Sequence, residues 1–144
     1  MTMGHAYATI AFEAARCDGC QDCMRACATA KCSSDDIARA RLQVLPAVLP
    51  AMLPADGGAP AAFELAMCRQ CGDPRCAAVC PAGALAKDVE TGVITRNADT
   101  CVDCLLCTVG CAYAGIAPDP ADGRVAKCDM CDGAPACVAA CPTG

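Results

Sequence analysis

The chain has 144 residues, of which 17 are cysteine, two are tyrosine, two are phenylalanine and none is tryptophan. A chain this short with so few aromatic residues has a small organic core, so its fold needs additional cross-links. The formal net charge of -5 disfavours nucleic acid as a partner, because its phosphates would be repelled. We also expect no transmembrane segment, since no apolar stretch of about 20 residues is present.

Sixteen of the cysteines form four quartets, in each of which three cysteines lie close together and the fourth follows the third by four positions. In chain order these are quartet 1 (Cys17, Cys20, Cys23, Cys27), quartet 2 (Cys68, Cys71, Cys76, Cys80), quartet 3 (Cys101, Cys104, Cys107, Cys111) and quartet 4 (Cys128, Cys131, Cys137, Cys141). Quartets 1 and 3 have the C-x2-C-x2-C-x3-C spacing of cubane iron-sulfur ligands, and the other two lengthen only the middle gap. The quartets predict four [4Fe-4S] clusters held by these sixteen thiolates.

The fourth cysteine of such a run binds the neighbouring cluster in two-cluster ferredoxins, and we expect it to begin a helix that leads away. Quartets 2 and 3 are close in sequence and predict an inner two-cluster unit over residues 67–112. Quartets 1 and 4 would then form an outer unit from residues 1–32 plus 113–144. The alternative is sequential pairing, of quartet 1 with quartet 2 and of quartet 3 with quartet 4.

Nested pairing predicts four ligand sets, each with three cysteines of one quartet and the fourth cysteine of its partner. They are site 1 (Cys17, Cys20, Cys23, Cys141), site 2 (Cys27, Cys128, Cys131, Cys137), site 3 (Cys68, Cys71, Cys76, Cys111) and site 4 (Cys80, Cys101, Cys104, Cys107).

Short elements are expected around these quartets. Between quartets 2 and 3, Val89 and the stretch 91–94 predict a hairpin with a glycine turn, and DPADGRVAKC predicts a similar turn before quartet 4. Following each fourth cysteine, stretches such as CAAVCPAGAL predict one helical turn broken by proline and glycine. The expected class is α+β and loop-rich, with tandem, nested bacterial-ferredoxin-like units.

Residues 33–66 form a proline-rich apolar insertion, with a strand expected at Leu42 to Leu45. Its prolines, which exclude a continuous helix, are Pro46, Pro50, Pro54 and Pro60. Its apolar run consists of Leu45, Val48, Leu49, Met52 and Leu53. Two interpretations are open: the insertion covers the protein's own clusters, or residues 45–55 dock another subunit or a second copy of the chain.

Other interpretations of the cysteines are less favoured. Zinc sites typically use two separated cysteine pairs, whereas each quartet groups three cysteines at its start. Disulfide scaffolds belong to exported proteins, and no export signal is recognisable, so a cytoplasmic location is expected. Cys32 belongs to no quartet, and a buried inert thiol is its default interpretation. Lys31, Lys87 and Lys127 lie near the quartets and are interpreted either as charges that tune the clusters or as surface residues.

The quartets and their flanking residues resemble a known family, the four-cluster ferredoxin-like electron-transfer subunits of DMSO reductase, formate dehydrogenase and carbon monoxide dehydrogenase systems. The stretches that carry the resemblance are CRQCGDPRCAAVCPAGAL, TGVITRNADTCVDCLLC, GRVAKCDMC and PACVAACPTG. The chain departs from the family where Ala112 follows quartet 3 in place of proline. The resemblance implies nested pairing and four clusters in a line. The sequence is also similar to the small iron-sulfur subunit of tungsten-dependent aldehyde oxidoreductases, which works beside a flavin subunit.

The predicted function is therefore a polyferredoxin subunit that conducts single electrons. No acid-base pair, activated nucleophile or phosphate-binding glycine loop is recognisable, so the chain is expected to have no catalytic site of its own. The expected partner is a catalytic subunit that oxidises an aldehyde, formate or CO, either a tungsten or molybdenum pterin enzyme or a CO dehydrogenase, with a flavin subunit as a further partner. The alternatives are a freely diffusing polyferredoxin and a structural zinc protein.

Overall fold

The computed structural model describes residues 9–47 and 62–144. Within these ranges short helices alternate with short strands, which confirms the expected α+β class. The helices are α1 (Asp22–Cys32), α2 (Arg75–Ala78), α3 (Leu106–Gly110) and α4 (Ala136–Ala139). The strands are β1 (Leu42–Pro46), β2 (Phe63–Met67), β3 (Leu85–Lys87), β4 (Ile94–Arg96), β5 (Ile116–Pro118) and β6 (Val125–Lys127). No helix in the described ranges is long and apolar enough to cross a bilayer.

The strands form three separate antiparallel hairpins, β1 with β2, β3 with β4 and β5 with β6. The last two have equivalent turns, which the repeated sequence pattern predicted. Asp88 accepts hydrogen bonds from the backbone N–H groups of Glu90 and Thr91, at 3.0 and 2.7 Å, and Gly92 closes the turn with a φ of 70°. In the other turn, Gly123 has a φ of 72°. Glycine suits both positions because a positive φ carries no steric cost without a Cβ.

The first hairpin joins the two ends of the proline-rich insertion. The strand expected at Leu42 to Leu45 is present and extends to Pro46, but its pairing with Phe63–Met67 was not predicted. The ring of Phe63 packs on Gly19, where an added Cβ would lie 2.7 Å from Phe63 Cε1. The other positions named for the insertion lie outside the described residues: Val48, Leu49, Pro50, Met52, Leu53, Pro54 and Pro60.

The expectation that each fourth cysteine begins a helix is wrong. Each helix instead carries the third cysteine of its quartet, and in α2, α3 and α4 the helix ends before the fourth. Proline follows at Pro81 and Pro142, which cannot continue a helix because it lacks an N–H group. The chain therefore turns between the third and fourth cysteines, so that the two thiols point to different places. Among the fourth cysteines, only Cys27 lies inside a helix, α1.

The helices pack in pairs that join distant parts of the chain. Helix α1 packs against α4, and α2 packs against α3. Gly110 permits the second contact, since a Cβ there would lie 2.9 Å from the Val79 side chain. Two cores result, and thiols are part of both. The non-cysteine members of core 1 are Met24, Leu42, Val44, Met67 and Met130. Those of core 2 are Leu85, Ile94, Ile116 and Val125.

Candidate functional site

The four thiols of site 1 line one cavity of about 530 Å³. Burial raises the pKa of the Cys23 thiol, and the negative charges of the other three thiols of the set add to that rise. Cys20 is exposed at the surface. The Arg16 guanidinium donates to the carbonyl of Thr143, which ties the segment after α4 to the N-terminal part of the chain. The structure therefore brings together thiols from the first and last quartets.

The thiols of site 2 meet where α1 packs against α4. Burial and then the charges of its three partners raise the pKa of the Cys137 thiol to about 11. Cys27, on the facing helix, is buried, and its pKa is raised for the same first reason, with a contribution from Cys131. Because the four groups affect one another electrostatically, they lie within one small region of the structure.

In site 3, a glycine allows two distant segments to touch. Burial raises the pKa of the Cys76 thiol, and the neighbouring Cys68 and Cys111 thiolates contribute to the rise. Gly115 lies against the backbone of residues 67–68, and a Cβ there would lie 2.6 Å from the Met67 carbonyl carbon and closer still to Cys68. The Gly115 N–H also donates to Cys111 Sγ at 3.3 Å. Cys71 lies in the same loop as Cys68, three positions later.

The four thiols of site 4 line one small cavity of their own. Burial raises the pKa of the Cys107 thiol, and all three of its predicted partners add to the rise. Cys104 is exposed, as Cys20 is in site 1. Asp103 accepts a hydrogen bond from Cys101 Sγ at 3.5 Å and another from the Val125 N–H at 2.9 Å.

Backbone N–H groups point at a sulfur in several of these sites. The donors and their Sγ acceptors are Arg41 to Cys27 at 3.2 Å, Ala84 to Cys80 at 3.3 Å, Gly115 to Cys111 at 3.3 Å and Met130 to Cys128 at 3.4 Å. Such hydrogen bonds stabilise a thiolate. They lower the pKa of the Cys80 thiol, where the Ala84 N–H is the main cause.

This donor set fits iron-sulfur clusters, because it consists of thiols supported by backbone N–H groups in partly water-excluded loops. In the described ranges, no three His, Cys, Asp or Glu side chains are close enough together to hold a single metal ion.

A buried ion pair beside site 2 had no signal in the sequence. Asp119 is 4% exposed, and its carboxylate accepts from Arg39 Nε at 2.9 Å and from Arg41 Nη1 at 3.2 Å. Arg41 also donates its backbone N–H to Cys27 Sγ. Cys32 lies here, partly buried, with its Sγ 3.5 Å from Arg41 Nη2. The ion pair connects the turn after β5 to the segment between α1 and β1. These segments are far apart in the sequence, so no local sequence pattern could have predicted the contact.

We expect Asp119→Asn to destabilise the protein by about 2 kcal/mol, since it removes charged hydrogen bonds from a buried carboxylate to two partly buried arginines. Hydrogen bonding to Arg39 holds the pKa of Asp119 well below its usual range. The stabilisation is therefore present above the unfolded carboxyl pKa of about 3.9 and is lost as the pH falls below it. Anaerobic guanidinium unfolding at pH 7 measures the change. The control is Asp35→Asn at an exposed site; equal midpoints for the two variants would contradict the role given to Asp119.

Comparison with known proteins agrees with this chemistry. The profile of the 4Fe-4S dicluster domain family matches residues 61–144. NADH-dependent phenylglyoxylate dehydrogenase subunit beta of Aromatoleum evansii is 63% identical over 99% of this chain, which spans 30% of that relative. The B subunit of polysulfide reductase from Wolinella succinogenes is 34% identical over 88% of this chain and 68% of its own length. Electron transport protein HydN of Escherichia coli is 31% identical over 91% of this chain and 81% of its own length.

The fold and the thiol sets define a ferredoxin-like iron-sulfur protein that transfers electrons. In particular, this protein belongs to the 4Fe-4S dicluster domain family, and its relatives are iron-sulfur subunits of oxidoreductase complexes. The resemblance seen in the sequence is thereby confirmed at the level of the family and its [4Fe-4S] cofactor.

Proposed function

We propose that the chain carries four [4Fe-4S] clusters, held by sites 1 to 4, and conducts electrons between a catalytic oxidoreductase subunit and a second redox partner. When bound, the clusters supply one-electron chemistry at potentials that the protein sets. The chain supplies the thiolates, N–H groups directed at several of their sulfurs and partly buried loops that limit access of water.

The grouping of thiols is the observation that carries this proposal. The four thiols of site 1 line one cavity and those of site 4 line another. In sites 2 and 3, the pKa of a buried thiol is raised by a thiol of the quartet with which nesting pairs its own. The packing of α1 on α4 and of α2 on α3 supports the same pairing. Sequential pairing would need quartets 1 and 2 to share helix contacts, and the principal helix contacts join other quartets.

The same grouping supports an order for the sites. Burial raises the pKa of the Cys128 thiol in site 2, and the charge of the Cys68 thiol in site 3 adds to this rise. The two thiols therefore lie close together. Sites 2 and 3 are therefore proposed as the middle of the chain of clusters, and sites 1 and 4 as its ends. Each end has an exposed cysteine, Cys20 or Cys104, where a redox partner could approach.

We keep the division of the chain into an outer unit, an insertion and an inner unit as part of the proposal. The packing of the two cores changes which segments each unit contributes. Core 1 contains Leu42, Val44 and Met67 together with thiols of quartets 1 and 4 and Cys68 of quartet 2. Core 2 contains Ile116 and Val125, from the stretch assigned to the outer unit, beside thiols of quartets 2 and 3. The hairpin β5–β6 of the proposed outer unit thus packs in core 2 and Cys68 of the proposed inner unit packs in core 1, so neither core is built from one unit alone.

For the catalytic partner, we propose a dehydrogenase that oxidises a 2-oxo acid such as phenylglyoxylate and passes the electrons to a nicotinamide acceptor. The name of the Aromatoleum relative supports this choice. A pterin enzyme acting on aldehyde or formate, or a CO dehydrogenase, stays a prediction from the resemblance of the sequence. A flavin subunit would suit the second partner, because a flavin can pass single electrons onward as a hydride.

Anaerobic purification from the native source tests the proposal. We expect a brown complex that absorbs broadly near 400 nm, with about sixteen irons and sixteen sulfides for each copy of the chain. The purified complex should reduce an added dye when phenylglyoxylate is the electron donor. It should not do so with formate, an aldehyde or CO. A monomeric brown protein would favour the diffusing polyferredoxin, and a colourless zinc protein would overturn the cluster assignment.

A further inference from the structure

Lys127 is a buried ammonium group at the junction of the two cores. Only 9% of the residue is exposed. Its Nζ donates to the backbone carbonyls of Cys128, at 2.6 Å, and Ile94. None of the ion pairs within residues 9–47 and 62–144 involves it. Burying a cation is costly unless a negative charge lies nearby, so the position calls for a compensating charge other than a carboxylate.

Thiols of two different sites lie near this ammonium group. Burial raises the pKa of both the Cys76 and the Cys128 thiols, and the Lys127 charge opposes that rise at each. Cys76 belongs to site 3 and Cys128 to site 2, the two sites proposed for the middle of the chain of clusters. Four thiolates around an oxidised cubane core carry a net charge of about -2, so Lys127 would lie between two negatively charged clusters.

Gln70 holds this arrangement in place. It is 5% exposed; its Nε2 donates to the Cys128 carbonyl at 3.0 Å, and its Oε1 accepts from the Ile94 N–H at 2.8 Å. Gln70 and Lys127 therefore bind the same two residues, one at the start of quartet 4 and one on β4. This shared network fixes the loop of site 3 relative to site 2, with the ammonium group between them.

The other charges lie beside one site each. Lys87, for example, donates from its Nζ to the Cys71 carbonyl of site 3 at 2.7 Å. Asp18 accepts from the Cys20 N–H at 3.0 Å in site 1, and Asp103 contacts Cys101 in site 4. Site 2 has a carboxylate at Asp129, but Lys31 neutralises it at 2.7 Å. Site 1 thus has a carboxylate beside it, and the carboxylate at site 4 pairs with Arg96 and Arg124 at 3.8 and 3.6 Å, whereas the two central sites share a buried positive charge.

We propose that Lys127 raises the reduction potentials of the clusters at sites 2 and 3 together, so that an electron from the catalytic partner rests in the middle of the chain of clusters. This inference rests on the proposed cluster assignment. One electron changes an oxidised cluster from about -2 to about -3, and a cation buried beside it stabilises that added charge more than solvated surface cations do.

The test is an anaerobic redox titration of the purified full chain, followed by electron paramagnetic resonance. In Lys127→Met, two of the four midpoint potentials should fall together. Each fall should be enough to lower the ratio of reduced to oxidised cluster about tenfold at a fixed potential, which for one electron is ~59 mV. Lys31→Met is the matched control, since that lysine faces site 2 alone, and it should move one midpoint at most.

Iron analysis separates this inference from the proposed function. Fewer than about sixteen irons in the wild-type chain would contradict the four-cluster assignment itself. With full iron, four unchanged midpoints in Lys127→Met would overturn only the role of Lys127. If the methionine variant loses iron, Lys127→Gln keeps donors for the two carbonyls and removes the charge. Loss of iron from both variants would also overturn the inference, because the lysine would then serve assembly.

Discussion

Removal of iron by an anaerobic chelator is expected to unfold the protein. Cys27, Cys68, Cys76 and Cys107 are buried in the two cores, so sulfur replaces much of the aromatic and aliphatic packing of a larger domain. Without metal, these thiols do not cross-link the segments that carry them. The free energy of metal binding then no longer contributes to the free energy of folding. Far-ultraviolet circular dichroism and thermal melting measure the loss.

Reconstitution provides the control for chelation. Iron and sulfide added back under reducing conditions should restore the dichroism and the absorbance near 400 nm together, since each depends on the same thiolates. An apoprotein that keeps native dichroism and melts cooperatively would contradict the prediction. It would mean that Met24, Ile94 and the other organic members of the cores suffice.

Gly115→Ala is expected to remove one cluster and leave the other three. The added methyl group would overlap the backbone of Cys68, which is not a flexible side-chain end that could move aside. Relief of the overlap must separate residue 115 from Cys68, and with it Cys111, whose sulfur accepts the Gly115 N–H. Both cysteines belong to site 3. Iron analysis should therefore fall from about sixteen to about twelve.

Gly72→Ala is the matched control. Gly72 lies in the loop that carries Cys68 and Cys71, and nothing lies within 4 Å of the Cβ that alanine would add. That variant should keep all its iron. Full iron in Gly115→Ala as well would contradict the close approach and the assignment of Cys68 and Cys111 to one site. Loss of iron from every site would show that site 3 cannot be lost alone, and would contradict a selective effect.

The sequence predicted the elements that depend on neighbouring residues. The Asp88–Gly92 turn has an aspartate acceptor followed by a glycine at positive φ, so a few adjacent residues were enough to place the hairpin. The single helical turns were predicted in the right stretches, but α2 and α4 lie before the fourth cysteine of each quartet and not after it. The prediction that each fourth cysteine begins a helix was wrong. Spacing fixes how many residues separate two thiols, but it does not determine which of the two lies in the helix.

Contacts between distant segments had no comparable signal. The pairing of β1 with β2 spans a segment whose composition indicates only extended chain. Gly115 is one of 12 glycines, and nothing beside it marks the approach of Cys68. Asp119 meets its two arginines only because the turn after β5 folds back beside α1. These features depend on packing, which is set by the whole chain.

The amino-acid sequence by itself determined the cofactor class and the electron-transfer role, because repeated thiol spacing is a local property that the cluster requires. The tertiary structure decided what surrounds each group of thiols: which helices bring two quartets together, and which backbone N–H groups face the sulfurs. It also decided that Lys127, one of several cations near the quartets in sequence, is buried between two of them. Charge and burial act through space, so only the folded chain distinguishes that lysine from Lys31 and Lys87, which are less deeply buried.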